Sequence, residues 1–305
     1  MKEISKTTAW DIKILNNEKA VYLYEKSIQI TDISGKRKST YIKFSQDTYS
    51  HIVVIEKHNI LMAMKRNNNV HIYELNTLLP IKKIVWKKEK KCVRENSIVA
   101  KDEQKVYSIL FLGDVKLGWK SYVTEIDLET SEERILIELP ESTPFEIKYC
   151  SELDDYLIHI IRYFEKELPF QNVGSYEAIA VKDNNISISF PRTKQYCCTL
   201  EKFGIMSNND ILYSTCGRGY GVYNARTDEK ILGNVETIAF SEKGEYIAYV
   251  ERNVEQRFLY IMEYESRKII DKVEIDHYLI HELEFRGNDK FILLRDSEWM
   301  YMYEI

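Results

Sequence analysis

The chain has 305 residues, 44% of them hydrophobic and 30% charged, with a net charge of −5. That length supports a core able to stand without metals or disulfides, and the acidic balance excludes a global field directed at nucleic acid or an anionic membrane. Eleven glycines and five prolines are too few for a collagenous or linker-rich chain, whereas 22 tyrosines among many Ile and Val favour strands.

The first residues, MKEISKTTAWDIKILNNEK, contain no apolar stretch of the secretory kind, and no run of about 18 apolar residues occurs anywhere. Cys92, Cys150, Cys197, Cys198 and Cys216 are odd in number and form no C-x-x-C. Reduced thiols in a cytoplasmic protein are the expectation, with no membrane association.

Taken in chain order, the predicted strands fall into repeating sets. The first set is 20–24, 28–32 and 39–44, and the second is 59–64, 70–74 and 80–86. Then come 105–112, 122–127 and 134–139, followed by 155–162, 178–183 and 186–190. The fifth set is 210–215, 221–224 and 230–232. The sixth, 246–250, 259–263 and 268–275, is preceded by a further strand at 237–240. The last has 281–285, 290–294 and 301–304. One more strand opens each set, as 237–240 does for the sixth and 281–285 for the last, and the third of the resulting four ends on an acidic residue or Asn: Asp32, Glu74, Asp127, Asp183, Asn224, Glu263 and Glu304. In the best copies Thr or Ser stands three residues later, as in Glu74 with Thr77, Asp127 with Thr130, Asn224 with Thr227 and Glu263 with Ser266. Such side chains bond nearby backbone groups and stabilise turns.

The spacing of these positions averages about 45 residues, the period of a four-stranded propeller blade. The expected fold is all-β: a seven-bladed β-propeller of four-stranded antiparallel blades, in a single domain over 1–305. The last set ends at Ile305 without a fourth strand, and residues 1–8 have no set of their own. The N-terminal strand is therefore expected to close the ring as the outer strand of the last blade.

The ends of the third strands resemble those of WD-repeat propellers. Ile126-Asp127-Leu128-Glu129-Thr130, Tyr73-Glu74-Leu75-Asn76-Thr77 and Tyr223-Asn224-Ala225-Arg226-Thr227 are similar to a degenerate Trp-Asp end followed by a Thr turn. The family's Gly-His dipeptide is absent and no copy keeps the Trp. The resemblance implies a WD40-like propeller, a fold that hosts scaffolds as well as lactonases, lyases and dehydrogenases.

No enzyme motif of the G-x-S-x-G, P-loop, H-E-x-x-H or G-x-G-x-x-G kind occurs. His277 and His281 have a helical metal spacing in a segment expected to be extended, so no metal is expected, and no cofactor. Glu132-Glu133, Asp154-Asp155 and Asp228-Glu229 are read as solvated turn residues on one rim. Two segments stand out. The first is basic: Lys65 and Arg66 in one loop, and Lys87, Lys88, Lys90 and Lys91 in another that opens on the same face. The second is the long loop 163–174, rich in apolar residues that include Tyr163, Phe164, Leu168 and Phe170. Long apolar loops on a rigid scaffold suit recognition. The expected function is a non-catalytic protein–protein interaction module that binds a protein or peptide partner on its loop face; nucleic acid is disfavoured. The alternative is a propeller enzyme or small-ligand binder, lactonase- or hydrolase-like, with its site at the central channel.

Overall fold

A computed structural model of the chain describes residues 1–305 except 16–17, 45–48, 66–68, 87–92, 115–117, 141, 164–173, 183–186, 191–199, 216–220, 252–255 and 277–279. The described residues form seven four-stranded antiparallel sheets, the blades of a β-propeller. In order from the innermost strand, blade 7 is β26 (Ile280–Arg286), β27 (Phe291–Asp296), β28 (Met300–Glu304) and β1 (Lys2–Thr7). Blade 1 is β2 (Asp11–Leu15), β3 (Lys19–Tyr24), β4 (Ser27–Asp32) and β5 (Lys38–Lys43). Blade 2 is β6 (Tyr49–Ile55), β7 (Ile60–Lys65), β8 (Val70–Glu74) and β9 (Pro80–Ile84). Blade 3 is β10 (Val93–Val99), β11 (Lys105–Asp114), β12 (Gly118–Asp127) and β13 (Glu133–Pro140). Blade 4 is β14 (Ser142–Cys150), β15 (Asp155–Tyr163), β16 (Gly174–Ala180) and β17 (Ser187–Ser189). Blade 5 is β18 (Leu200–Ile205), β19 (Ile211–Thr215), β20 (Gly221–Asn224) and β21 (Lys230–Gly233). Blade 6 is β22 (Val235–Phe240), β23 (Tyr246–Glu251), β24 (Phe258–Glu263) and β25 (Ile269–Glu274).

The expected closure is present. β1 pairs antiparallel with β28, from Lys2 opposite Glu304 to Thr7 opposite Met300, with a bulge between Glu3 and Ser5. The Met1 ammonium also pairs with Asp271 on β25 of the neighbouring blade. First and last blades are thereby joined through one sheet, which leaves no open edge on β28.

Each blade is apolar on both faces because each face meets a neighbour. In β23, Ile247 and Tyr249 pack towards blade 5, while Ala248 and Val250 pack towards blade 7. A separate apolar cluster fills every blade-to-blade interface, including that between blades 7 and 1, where Ile12 and Tyr22 meet Phe291, Leu293 and Met302. This is why the second strands read as continuous apolar runs and not as an apolar–polar alternation.

The repeat in the sequence is a repeated turn. The amides of Glu74, Asp127, Asn224 and Glu263 each donate to the carbonyl five residues on. Their side chains hold the intervening loop. Asp127 Oδ1 accepts from the Thr130 amide (2.8 Å) and hydroxyl (3.1 Å). Asn224 Oδ1 accepts from the amides of Arg226 (2.9 Å) and Thr227 (3.2 Å). Four residues past each of these positions the backbone is left-handed: Leu78 (φ 57°), Ser131 (φ 56°), Asp228 (φ 60°) and Arg267 (φ 58°). A left-handed conformation costs a residue with a Cβ roughly 1–2 kcal/mol, and the capping bonds offset that cost at each site.

Blade 4 departs from the expectation. β16 ends at Ala180, so Ala180 and not Asp183 occupies the position of the turn residue, and Asp183 lies outside the described residues. The missing cap is supplied from the adjacent strand. Asp155, at the start of β15, accepts from the Lys182 amide at 2.7 Å, the bond that Asn224 makes with Arg226 in blade 5. Asp155 is therefore buried, and the Glu133 carboxylate is buried too, bonded at 2.9 and 3.1 Å to the fully buried Arg94. Neither is the solvated rim residue expected of the carboxylate pairs.

Candidate functional site

An up-and-down blade sends its connections alternately to the two ends of the ring. The turns between first and second strands and between third and fourth strands share one end, here the turn end. They are short, and those between third and fourth strands are capped as described above. The connections between second and third strands, and from each outer strand to the next inner strand, share the other, the loop end. The longest connections, 164–173 and 190–199, belong to it.

Of the residues singled out in the sequence, Tyr163 and Lys65 are described, and both stand at strand ends that face the loop end. Tyr163 is the last residue of β15 and Lys65 the last of β7. Phe164, Leu168, Phe170, Arg66, Lys87, Lys88, Lys90 and Lys91 lie outside the described residues. The Lys65 side chain, expected in a solvent-facing basic patch, is 8% exposed, and its Nζ sits 5.9 Å from the centroid of Tyr49. Three large apolar side chains are exposed beside these segments. Val85 and Val93 flank 87–92, and Phe145 lies on the inner strand of the blade that carries 164–173. Trp86 packs onto Tyr122 at 6.3 Å.

The seven inner strands enclose a channel of about 1140 Å³. Its walls are charged, and many of the charges are paired. On β26 the alternate residues Glu282, Glu284 and Arg286 share one face. Arg286 pairs with Glu284 and lies 3.8 Å from Asp11 Oδ1. Asp11 also faces Lys13 (3.6 Å) and accepts from the Ile52 amide of blade 2 (2.9 Å). Arg295 meets Glu282 at 3.3 Å and donates to the carbonyls of Ala9 and Trp10. Lys202 of blade 5 reaches past blade 6 to the Leu283 carbonyl of blade 7 (2.6 Å), and Lys148 of blade 4 reaches the Phe203 carbonyl (2.6 Å). Gly204 is required here: a Cβ would stand 2.2 Å from the Phe240 ring, which lies across it from blade 6.

These pairings set the protonation of the channel. Burial raises the Glu282 carboxyl, and repulsion from Glu284 raises it further. For Glu284, burial is the largest effect and also acts upward, but Arg286, Lys202, Lys13 and Lys148 together outweigh it and hold the group at about 2. A carboxyl pushed up thus adjoins one held down, an arrangement of the kind that acid–base chemistry uses. Both are held by arginines, which equally suits a network that ties the closing seam of the ring.

The buried histidines are not poised for catalysis near neutrality. Burial lowers His51 to about 3. Its ring nitrogens meet Ser50 Oγ and Ser97 Oγ at 3.0 Å each, which bridges blades 2 and 3. Burial also lowers His159 to about 3, with Lys148 adding to the effect. Neither nitrogen of His159 has a hydrogen-bond partner among the described residues, and Phe145, Tyr176, Phe190 and Phe203 surround the ring. Among the described residues no group of three or more His, Cys, Asp or Glu is arranged to hold a metal ion. Cys150 is a buried free thiol, and the other four cysteines lie outside the described residues. No helix among the described residues is long and apolar enough to cross a membrane.

The channel charges were missed in the sequence. The signal was present as Glu282-x-Glu284-x-Arg286 and Asp11-x-Lys13, alternating charge in strands that the repeat assigns to the innermost position.

Comparison with known proteins gives a likeness of fold. Solved structures similar to this chain include an oligogalacturonate lyase from Vibrio parahaemolyticus, at 11% identity and TM-score 0.65 over 100% of this chain and 91% of that one. The Cps50 (Swd1) β-propeller domain from Myceliophteria thermophila matches at 11% identity and TM-score 0.65, over 100% of this chain and 98% of that one. Kuenenia stuttgartiensis hydrazine synthase matches at 9% identity and TM-score 0.65, over 98% and 96%. No family model matches the chain, and no curated protein matches it in sequence.

Proposed function

We propose that the chain is a single-domain, WD40-like propeller that works in the cytoplasm as a non-catalytic interaction module, binding a protein or peptide at its loop end. The observation that carries this reading is the asymmetry of the ring. One end is built of short turns, capped between third and fourth strands. The other has the long connections, the apolar-rich 163–174 segment among them, with Val85, Val93 and Phe145 exposed alongside. Aromatic residues are enriched among those that dominate binding energy, and Pro169 before Phe170 limits the entropy lost on docking. Arg66, Lys87, Lys88, Lys90 and Lys91 add positive charge at the same end, suited to steering an acidic partner. The likeness to the Cps50 (Swd1) propeller domain is compatible with this reading. In affinity capture from native extract, Phe164→Ala with Phe170→Ala should abolish recovery of the partner and leave the melting temperature unchanged. Full recovery with the double variant, or its unfolding, would contradict the assignment.

The second reading, a small-ligand or enzyme site in the channel, is favoured by the Glu282–Glu284 pair in a space of about 1140 Å³. The similar fold of an oligogalacturonate lyase is compatible with it.

A further inference from the structure

We infer that the outer strand of blade 2, β9, is a docking edge for an acidic, extended peptide that adds to the sheet as a fifth strand. This rests on the reading of the chain as a protein-binding propeller, but it concerns the rim of the ring and not its loop end.

β9 pairs with β8 on one side, and among the described residues no strand pairs with its other side. Pro80 has no N–H and Ile81 sits at a bulge in the pairing with β8, so the open template of backbone donors and acceptors on that side runs from Ile81 to Ile84. The side chains on it are exposed on both faces: Pro80, Ile81, Lys82 and Lys83 in succession. Ile81 is 58% exposed, and Leu79 and Val85 at either end are 62% and 51% exposed. These are large aliphatic groups left in water along a strand edge, where cross-strand neighbours would cover them.

The charge selects the occupant. β9 holds two lysines and no acidic residue, within a chain of net charge −5. Lys82 reaches the Thr130 carbonyl of blade 3 at 3.2 Å, and Lys83 makes no ion pair among the described residues. A second β9 edge would bring lysine against lysine, so the strand opposes pairing with its own copy. A partner strand with carboxylates opposite Lys82 and Lys83 and an aliphatic residue opposite Ile81 satisfies charge and apolar surface together. The other outer strands lack this combination. β17 and β21 are short, and β13, β25 and β1 mix acidic with basic residues. β5 also holds two lysines and no acidic residue, but it exposes one large apolar side chain, Tyr41, where β9 and its two flanking residues expose three.

The test uses the full chain and the labelled peptide acetyl-Val-Thr-Glu-Glu-Ile-Thr-amide, which is complementary to β9 in antiparallel register. Its controls are the same peptide with both Glu replaced by Lys, and two versions N-methylated at alternate amides. Only one alternate set of amides can face β9, so one methylated peptide should lose binding and the other keep it. Lys82→Glu with Lys83→Glu, both exposed and outside the core, should weaken binding at least about tenfold. Hydrogen exchange should slow at amides within Ile81–Ile84 when the peptide is present. Phe164→Ala with Phe170→Ala should leave peptide binding unchanged, so this result is independent of the loop-end assignment. Equal binding of both methylated peptides would mean a charge patch without strand addition and would overturn the proposal. So would the absence of binding, or binding indifferent to the lysine reversal. Self-association of the wild-type protein that the lysine reversal abolishes would assign the edge to a second copy and overturn it as well.

Discussion

His159 is the residue whose cost is plainest. It is 1% exposed and uncharged, has both ring nitrogens without a partner among the described residues, and sits inside four aromatic rings. A buried polar group left unsatisfied costs about 1–3 kcal/mol. His159→Phe should therefore raise stability at pH 7 by about 1 kcal/mol, because the surrounding rings accept an apolar neighbour of similar shape. The pH dependence follows from the same burial. The folded value for His51 and for His159 is about 3, below the ordinary value near 6.5 of the unfolded chain. Between these limits the unfolded chain binds protons that the folded chain refuses. Their stabilising contribution is thus complete above pH 6.5 and declines as pH falls towards 3. Each histidine adds a slope of about 1.4 kcal/mol per pH unit in that window. Denaturant titrations at pH 7 and pH 5 should show His159→Phe losing one histidine's share of that slope. An unchanged slope would mean that His159 is already protonated in the fold.

At the scale of elements, β1 carries the closure. Removing residues 1–8 strips β28 of its outer partner along Lys2–Thr7 and exposes the Met300–Glu304 edge. The truncated chain should melt at lower temperature and aggregate, and dynamic light scattering with a thermal melt would detect both. An unchanged melting temperature and solubility would mean that the ring holds without the strand. This closure was legible in the sequence because a missing fourth strand at one terminus and a spare strand at the other complement each other. The turn residues were legible too, since Asp127 with Thr130 and Asn224 with Thr227 act within a few residues of themselves. Blade 4 was misread by three residues, because its cap comes from Asp155 on another strand and no local pattern announces that. Channel pairs such as Asp11 with Arg286, and Lys202 with the Leu283 carbonyl, join residues far apart in the chain. Strand alternation marks such residues as charged in an inner strand, but their pairing is decided only when the ring closes.

For the whole molecule, the account rests on the difference between the two ends of the ring. The turn end spends its polar side chains on its own backbone: Asp127, Asn224 and Asp155 all accept amide hydrogen bonds there. The loop end carries the long connections, and the Phe164→Ala with Phe170→Ala pair addresses it directly. The most direct measurement is hydrogen exchange on the complex with a captured partner, comparing peptides from the two ends. The account predicts slowed exchange over 163–174 and the neighbouring loop-end segments, with the turns at 75–79, 128–132, 225–229 and 264–268 unchanged. Slowed exchange confined to those turns, or to the inner strands that line the channel, would contradict it.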